Sequence, residues 1–175
     1  PTTIETSERI VVDNDVILDG EGNLTLDGRG LHTVLSVFGA PTDITVELHG
    51  FVVTGSWKDG AAISSNQADL TVSDCIVSGN EGDGIDGRGR LTVNNTVVED
   101  NESEGISHSG DLTVNDSTVS GNEGIGVSAW SEGTGAINNT SVSDNATGGI
   151  HNGQGMLVLS NVIVSGNRGW MLELG

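Results

Sequence analysis

Short apolar triplets recur along the whole chain, separated by clusters of Gly, Asn, Asp and Ser. No stretch sustains the three-to-four-residue spacing of an amphipathic helix. The triplets are rich in Val, Ile and Thr and are bounded by turn residues, the pattern of many short strands. Five phrases repeat: LTVSDCIVSGN, LTVNNTVVEDN, LTVNDSTVSGN, GAINNTSVSDN and LVLSNVIVSGN. They close at Asn80, Asn101, Asn122, Asn145 and Asn167, at spacings of 21, 21, 23 and 22 residues. Two weaker copies start at Leu24 and Ile44, and Ile10-Val11-Val12 reads as a partial first copy.

Each unit resolves into three strands. Strand A is Leu70-Thr71-Val72 and its equivalents, and strand B is Cys75-Ile76-Val77. Strand C opens on Gly-Ile after the asparagine, as at Gly84-Ile85 and Gly105-Ile106. Alternation along a strand places every second side chain on one face. Four inward columns follow. They are Leu70, Leu91, Leu112 and Leu157; Val72, Val93, Val114, Ile137 and Leu159; Phe51, Val77, Val98, Val119, Val142 and Val164; and Ile63, Ile85, Ile106, Val127 and Ile150. A unit this small cannot bury its own apolar face, but copies stacked in register bury a continuous core.

The expected fold is all-β: a parallel β-helix of about seven coils of 20–26 residues, three short strands each, spanning 1–175 as a single domain. Residues 1–23 form an N-terminal partial coil or cap, 24–168 the coils and 169–175 the C-terminal end. Asn80, Asn101, Asn122, Asn145 and Asn167 form a structural ladder. Asparagine tolerates the left-handed backbone of a sharp turn, and stacked amides bond one another along an axis. Trp170, with Met171, Leu172 and Leu174, is expected to cover the last coil or meet a partner.

The phrase GNEGDGI with its LTV strands, and the opening VILDGEGNLTLDGRG, resemble the right-handed parallel β-helix repeat proteins. That pectate-lyase-like superfamily includes pectate lyases and many bacterial surface proteins. The resemblance covers roughly residues 10–170 and implies a right-handed coil. It leaves function open, because one fold hosts lyases, hydrolases, epimerases, adhesins and passive spacers. The clustered aspartates and glycine-flanked histidine of the pectin hydrolases of this fold have no match here. Nor do the Trp-Asp-His and Arg-rich signatures of its pectate lyases.

Composition narrows the partners. Six Lys and Arg against 25 Asp and Glu give a net charge of −19. Nucleic-acid affinity comes from cations displacing counterions, so nucleic acid is excluded as a partner. No apolar run approaches the roughly 18 residues of a membrane span, so membrane insertion is not expected. The sequence opens without the basic and apolar regions of a signal peptide. Cys75 is single, so no intrachain disulfide and no cysteine metal cluster can form. It shares an inward column with Thr96, Ser117, Thr140 and Val162 and reads as a small buried filler.

Candidate chemistry lies on the outside of the coil. Outward positions of strand C are Ser64, Asp86, Ser107, Ser128 and His151, with Arg88, Ser109 and Trp130 further along. Asp86 and Arg88 are the alternative catalytic pair, with Asp83 and Glu104 beside them, for a small polysaccharide lyase, hydrolase or epimerase-like enzyme. His151 stands three coils from Asp86, about 14 Å at 4.8 Å per coil, so the two cannot act as a pair. Trp57 and Trp130 sit in the two longest units and are the candidate ligand-binding residues, by stacking on sugar rings. Thr25, Thr45, Thr71, Thr92 and Thr113 read as one outward column, the basis of a remote ice-binding alternative. Glu81, Glu102 and Glu123, then Asp83 and Glu104, occupy successive coils. Like charges stacked about 4.8 Å apart repel, and Ca2+ near Glu81, Asp83, Glu102 and Glu104 would relieve them; a solvated acidic edge is the other reading. No other cofactor is indicated.

The resulting expectation is a non-enzymatic, secreted or cell-surface module. It binds a polysaccharide or another cell-surface component, or serves as a rigid spacer or adhesin segment. Oligomeric state is left open.

Overall fold

The computed structural model describes residues 2–39, 44–130 and 133–174. All the strands among them pair in parallel and wind into a solenoid of about eight turns. Strand C carries the longest stack: Ile10, Leu35, Ile63, Ile85, Ile106, Val127, Ile150 and Leu172 are successive partners. Ile63, Ile85, Ile106 and Ile150 are fully buried, as are Val93, Val98, Val114, Val119 and Val142 in the facing columns. A coil therefore has no core of its own; its apolar residues are covered by the coils above and below. Strands C and A often run together, as in Ala61–Ser73, Asp83–Asn94 and Ile106–Asn115.

Three registers differ from the sequence reading. Val53, not Phe51, pairs with Val77, and Phe51 pairs with Leu24. Leu24-Thr25-Leu26 imitates strand A, yet Val16-Ile17-Leu18 holds that place and pairs with Val46-Glu47-Leu48. Leu24–Leu26 belongs to sheet B. The threonine column consequently breaks up: Thr25 pairs with Val52, Thr45 with Asp69 and Thr71 with Glu47. Only Thr71, Thr92 and Thr113 stack, ending on Ala136. In the early coils alternating apolar residues fit either sheet, and an inserted glycine pair at Gly20 and Gly22 shifts the phase.

The ends also differ. Thr2–Glu5 already pairs with Leu24–Asp27. Trp170–Leu174 does not fold over the last coil; it adds a strand C rung on Gly148–Asn152. Its Met171, Leu172 and Leu174 are exposed.

The asparagine ladder is present in full. Nδ2 of Asn80, Asn101, Asn122 and Asn145 each donates to Oδ1 of the next, at 2.8–2.9 Å. The second Nδ2 proton goes to the carbonyl of Val53, Val77, Val98 or Val119, and at the last rung Asn167 donates to Val142. The backbone N–H groups of Asn101, Asn122 and Asn145 donate to the same oxygens as their own side chains, and that of Ser56 donates to Asn80 Oδ1 at the first rung. The left-handed turn residue is not the ladder asparagine but the one before it: Gly79, Asp100, Gly121, Asp144 and Gly166, with φ of 53–70°. Position 105 stays glycine because of the ladder. A Cβ there would stand 2.7 Å from the Gly126 carbonyl and 2.8 Å from Asn122 Nδ2.

A second asparagine stack runs at the corner between sheets A and B. Asn115 donates to Asn94 and Asn138 to Asn115, each at 2.9 Å. Beside it the column of Cys75 carries hydroxyls: backbone N–H of Cys75, Thr96 and Ser117 donate to Thr96 Oγ1, Ser117 Oγ and Thr140 Oγ1.

Candidate functional site

The outer face of sheet C gathers the titratable and aromatic side chains. The register aligns Ser36, Ser64, Asp86, Ser107, Ser128, His151 and Glu173 in one outward column. At its edge the turn Trp57–Gly60 crosses into strand C, with the Gly60 N–H donating to the Trp57 carbonyl. There Thr33, Lys58, Asp59, Ser64, Asp83, Asp86 and Ser103 line an open cleft of about 280 Å³. Thus Asp83 and Asp86 meet the turn that carries Trp57.

Asp83 and Glu104 are neighbours on adjacent coils, and Asp83 Oδ1 accepts the Glu104 N–H at 2.9 Å. That bond occupies Asp83 and leaves Glu104 free to turn over the sheet. Glu104 reaches toward the Ser107 and Ser128 hydroxyls and lies within the field of His151. Glu104 Oε2, Ser128 Oγ and His151 Nε2 are buried with no partner at full hydrogen-bond geometry, although the Ser107 and Ser128 hydroxyls stand near enough to favour the Glu104 charge. Ser128 faces outward by register yet is wholly inaccessible. The Trp130 indole stacks on His151 at 4.5 Å between ring centres, and Trp170 approaches the same imidazole at 5.7 Å. His151 Nδ1 stands 3.4 Å from Glu173 Oε2.

Burial, with the Asp83 charge opposing the help of Ser107, holds the Glu104 carboxyl above its ordinary range. Burial and then the Asp83 charge do the same to Asp86, against the weaker pull of Arg88. Asp86 and Arg88 do not form an ion pair. Ion pairs among the described residues are Arg29–Glu5 and Arg90–Asp69; His49 and His151 stand beside Glu47 and Glu173 at 3.0 and 3.4 Å. His108, one position off the face, points inward; its Nε2 donates to the Gly89 carbonyl, and burial lowers its pKa.

A raised carboxyl pKa has a defined sign in stability. The unfolded chain loses this proton first, so between the ordinary glutamate value of 4.5 and the raised folded value the native state holds more protons. Stability from this group therefore falls as pH rises through that window. Glu104→Gln should be more stable relative to the parent at pH 7 than at pH 4, in paired urea melts. A difference independent of pH would show that Glu104 ionises as freely as in water.

The carboxylates considered for Ca2+ do not converge. Glu81 and Glu102 are exposed at the corner, while Asp83 and Glu104 turn onto sheet C. Among the described residues no group of three His, Cys, Asp or Glu side chains could hold a metal ion. Trp57 and Trp130 lie at opposite corners of the face, three coils apart, about 14 Å along the axis. Sequence reasoning set His151 apart from Asp86. It missed that Glu104 turns toward Ser128 on the next coil and into the field of His151, because register fixes Cα positions and not the sweep of a long side chain.

A family model described as the right-handed beta helix region matches residues 4–168. The chain belongs to the right-handed beta helix family. Among solved structures, the A-module of the Azotobacter vinelandii mannuronan C-5 epimerase AlgE4 is similar, with a TM-score of 0.59 and 14% identity. The likeness covers 99% of this chain and 61% of that one, so the chain spans about three-fifths of the epimerase module. At that identity the shared property is the fold. No curated protein matches the sequence. On the sheet C face of this right-handed beta helix chain stand a carboxyl, a hydroxyl and an imidazole with unused hydrogen-bonding capacity beside an exposed indole.

Proposed function

We propose that this protein is a carbohydrate-binding β-helix module that holds a polysaccharide chain against the outer face of sheet C. One observation carries the reading: the unpaired Glu104 Oε2, Ser128 Oγ and His151 Nε2 lie together beside Trp130. Unpaired buried polar atoms are costly, and the groups that complete them are donors. A sugar ring offers such donors around its rim and an apolar face to an indole. The fold neighbour is a mannuronan epimerase module, which supports a polymeric sugar as the ligand class.

The test is affinity electrophoresis through gels containing immobilised neutral, amino and acidic polysaccharides. At least one polymer should retard the protein, and Trp130→Ala should weaken retention about tenfold, the equivalent of about 1.4 kcal/mol. Trp130 is half-exposed, so its removal leaves the core intact. Unchanged retention in the variant, or no retention by any polymer, overturns the proposal.

A second reading rests on Asp86 and Glu104, which stand on the sheet C face and hold their protons more tightly than free carboxyls, the direction that general acid catalysis favours. It makes the same face a polysaccharide-modifying site. Release of reducing ends or unsaturated product, lost in Glu104→Gln, would establish turnover over plain binding.

A further inference from the structure

Resting on the carbohydrate-binding reading, we infer that the sheet C face selects amino sugars bearing free ammonium groups, over N-acetylated sugars and uronates. The argument starts from the kind of vacancy on the face. His151 Nδ1 stands 3.4 Å from Glu173 Oε2, and in the neutral ring with its proton on that side Nε2 is an acceptor. Glu104 Oε2 is a carboxyl oxygen, and Ser128 Oγ accepts as well as donates. All three unpaired atoms can therefore be completed by donors. An ammonium group carries three donors and no acceptor. A uronate brings only acceptors to the same place, and an acetamide brings one donor with one acceptor.

Charge points the same way. Asp59, Asp83, Asp86, Glu104 and Glu173 border the face, against Lys58 and Arg88. The whole chain carries −19, so a polyanion is repelled before it arrives. Trp130 adds an indole face, on which a cation is attracted by the ring quadrupole. Ser128 supplies the observation that is independent of charge: a wholly buried side chain on the outward column with its hydroxyl unpaired. The atoms are covered by side chains, the Trp130 indole lying on His151. Binding proceeds by rotation of that exposed indole from the imidazole onto the sugar.

The test titrates the whole protein with oligomers of glucosamine, N-acetylglucosamine and mannuronate, reading tryptophan fluorescence and calorimetric heat. The glucosamine oligomer should bind at least tenfold more tightly than the other two, with an affinity that falls as salt is added. Glu104→Gln and, separately, Asp86→Asn should weaken glucosamine binding several-fold more than they weaken N-acetylglucosamine binding. Asp13→Asn removes the same charge on the first coil and should leave the glucosamine affinity unchanged. Equal affinity for glucosamine and N-acetylglucosamine overturns the selectivity and leaves the binding reading standing. A loss in Asp13→Asn as large as in Glu104→Gln shows diffuse attraction and overturns the site. Binding of none of the three, with retention on another polymer, overturns the amino-sugar inference alone.

Discussion

Asn122→Ala is expected to remove about 3–5 kcal/mol of stability, a large part of what a domain of this size possesses. Asn122 is fully buried in the middle of the ladder. Its Oδ1 takes two protons, from the Asn101 side chain at 2.8 Å and the Asn101 backbone at 3.2 Å. Its Nδ2 serves Asn145 Oδ1 and the Val98 carbonyl. Truncation strands both Asn101 donors where water does not reach, and each stranded group costs about 1–3 kcal/mol. Asn122→Asp separates the two halves of the role. It keeps an acceptor for Asn101 but sets a carboxylate against the Asn145 oxygen and the Val98 carbonyl. This variant should be crippled at neutral pH and partly restored in acid, where the protonated carboxyl donates once. Chemical denaturation of both variants at two pH values reads the effect. A loss under 1 kcal/mol for the alanine variant would mean that water or a backbone shift replaces the ladder.

The second large effect is on salt. With 25 acidic and six basic residues, the native rod gathers charge that the unfolded chain spreads out. Carboxylates occupy neighbouring coils at Glu81, Glu102 and Glu123, and few are neutralised by cations: Arg29 pairs with Glu5 and Arg90 with Asp69, all of them exposed. Exposed pairs contribute little, so repulsion dominates the electrostatic balance. Going from about 10 mM to about 1 M NaCl shortens the screening length from about 30 to about 3 Å. A few kcal/mol of relieved repulsion should raise Tm on the order of 10 °C at pH 7. The same titration at pH 4, where carboxylates begin to protonate, should give a smaller rise. A Tm independent of salt at pH 7 would mean that the charges are already compensated.

The periodic half of the molecule was legible because one position does the same job in every coil. Asn80 to Asn167 recur within the variation of a turn, and Ile63, Ile85, Ile106, Val127 and Ile150 pair as their spacing predicts. Legibility failed where periodicity loosens. Leu24–Leu26 carries the letters of strand A and the place of strand B, because two apolar side chains around a threonine satisfy either sheet. The left-handed turn residue was assigned to the ladder asparagine, although glycine and aspartate alternate just before it. Trp170 is apolar and near the end of the chain, so it reads as a cover, yet strand C hydrogen bonding continues through it. The candidate site was half visible. Register named Asp86, Ser107, Ser128 and His151 as one column. The turn of Glu104 toward the next coil, the burial of Ser128 and the stacking of Trp130 on His151 depend on side-chain torsions, to which a repeat gives no access.

The absence of any core within a single coil has a mechanical consequence. Each turn is held by its neighbours, through strand pairing and the ladder, and by almost nothing inside itself. Tension applied between the two ends of the chain therefore loads the outermost turn alone, like the free end of a wound rope. When that turn peels away it releases its 21–23 residues, about 70–75 Å of extended chain, and hands the load to the next, which presents the same bonds again. Such a rod yields in a series of similar steps and not in one rupture, and its length under load is counted in turns.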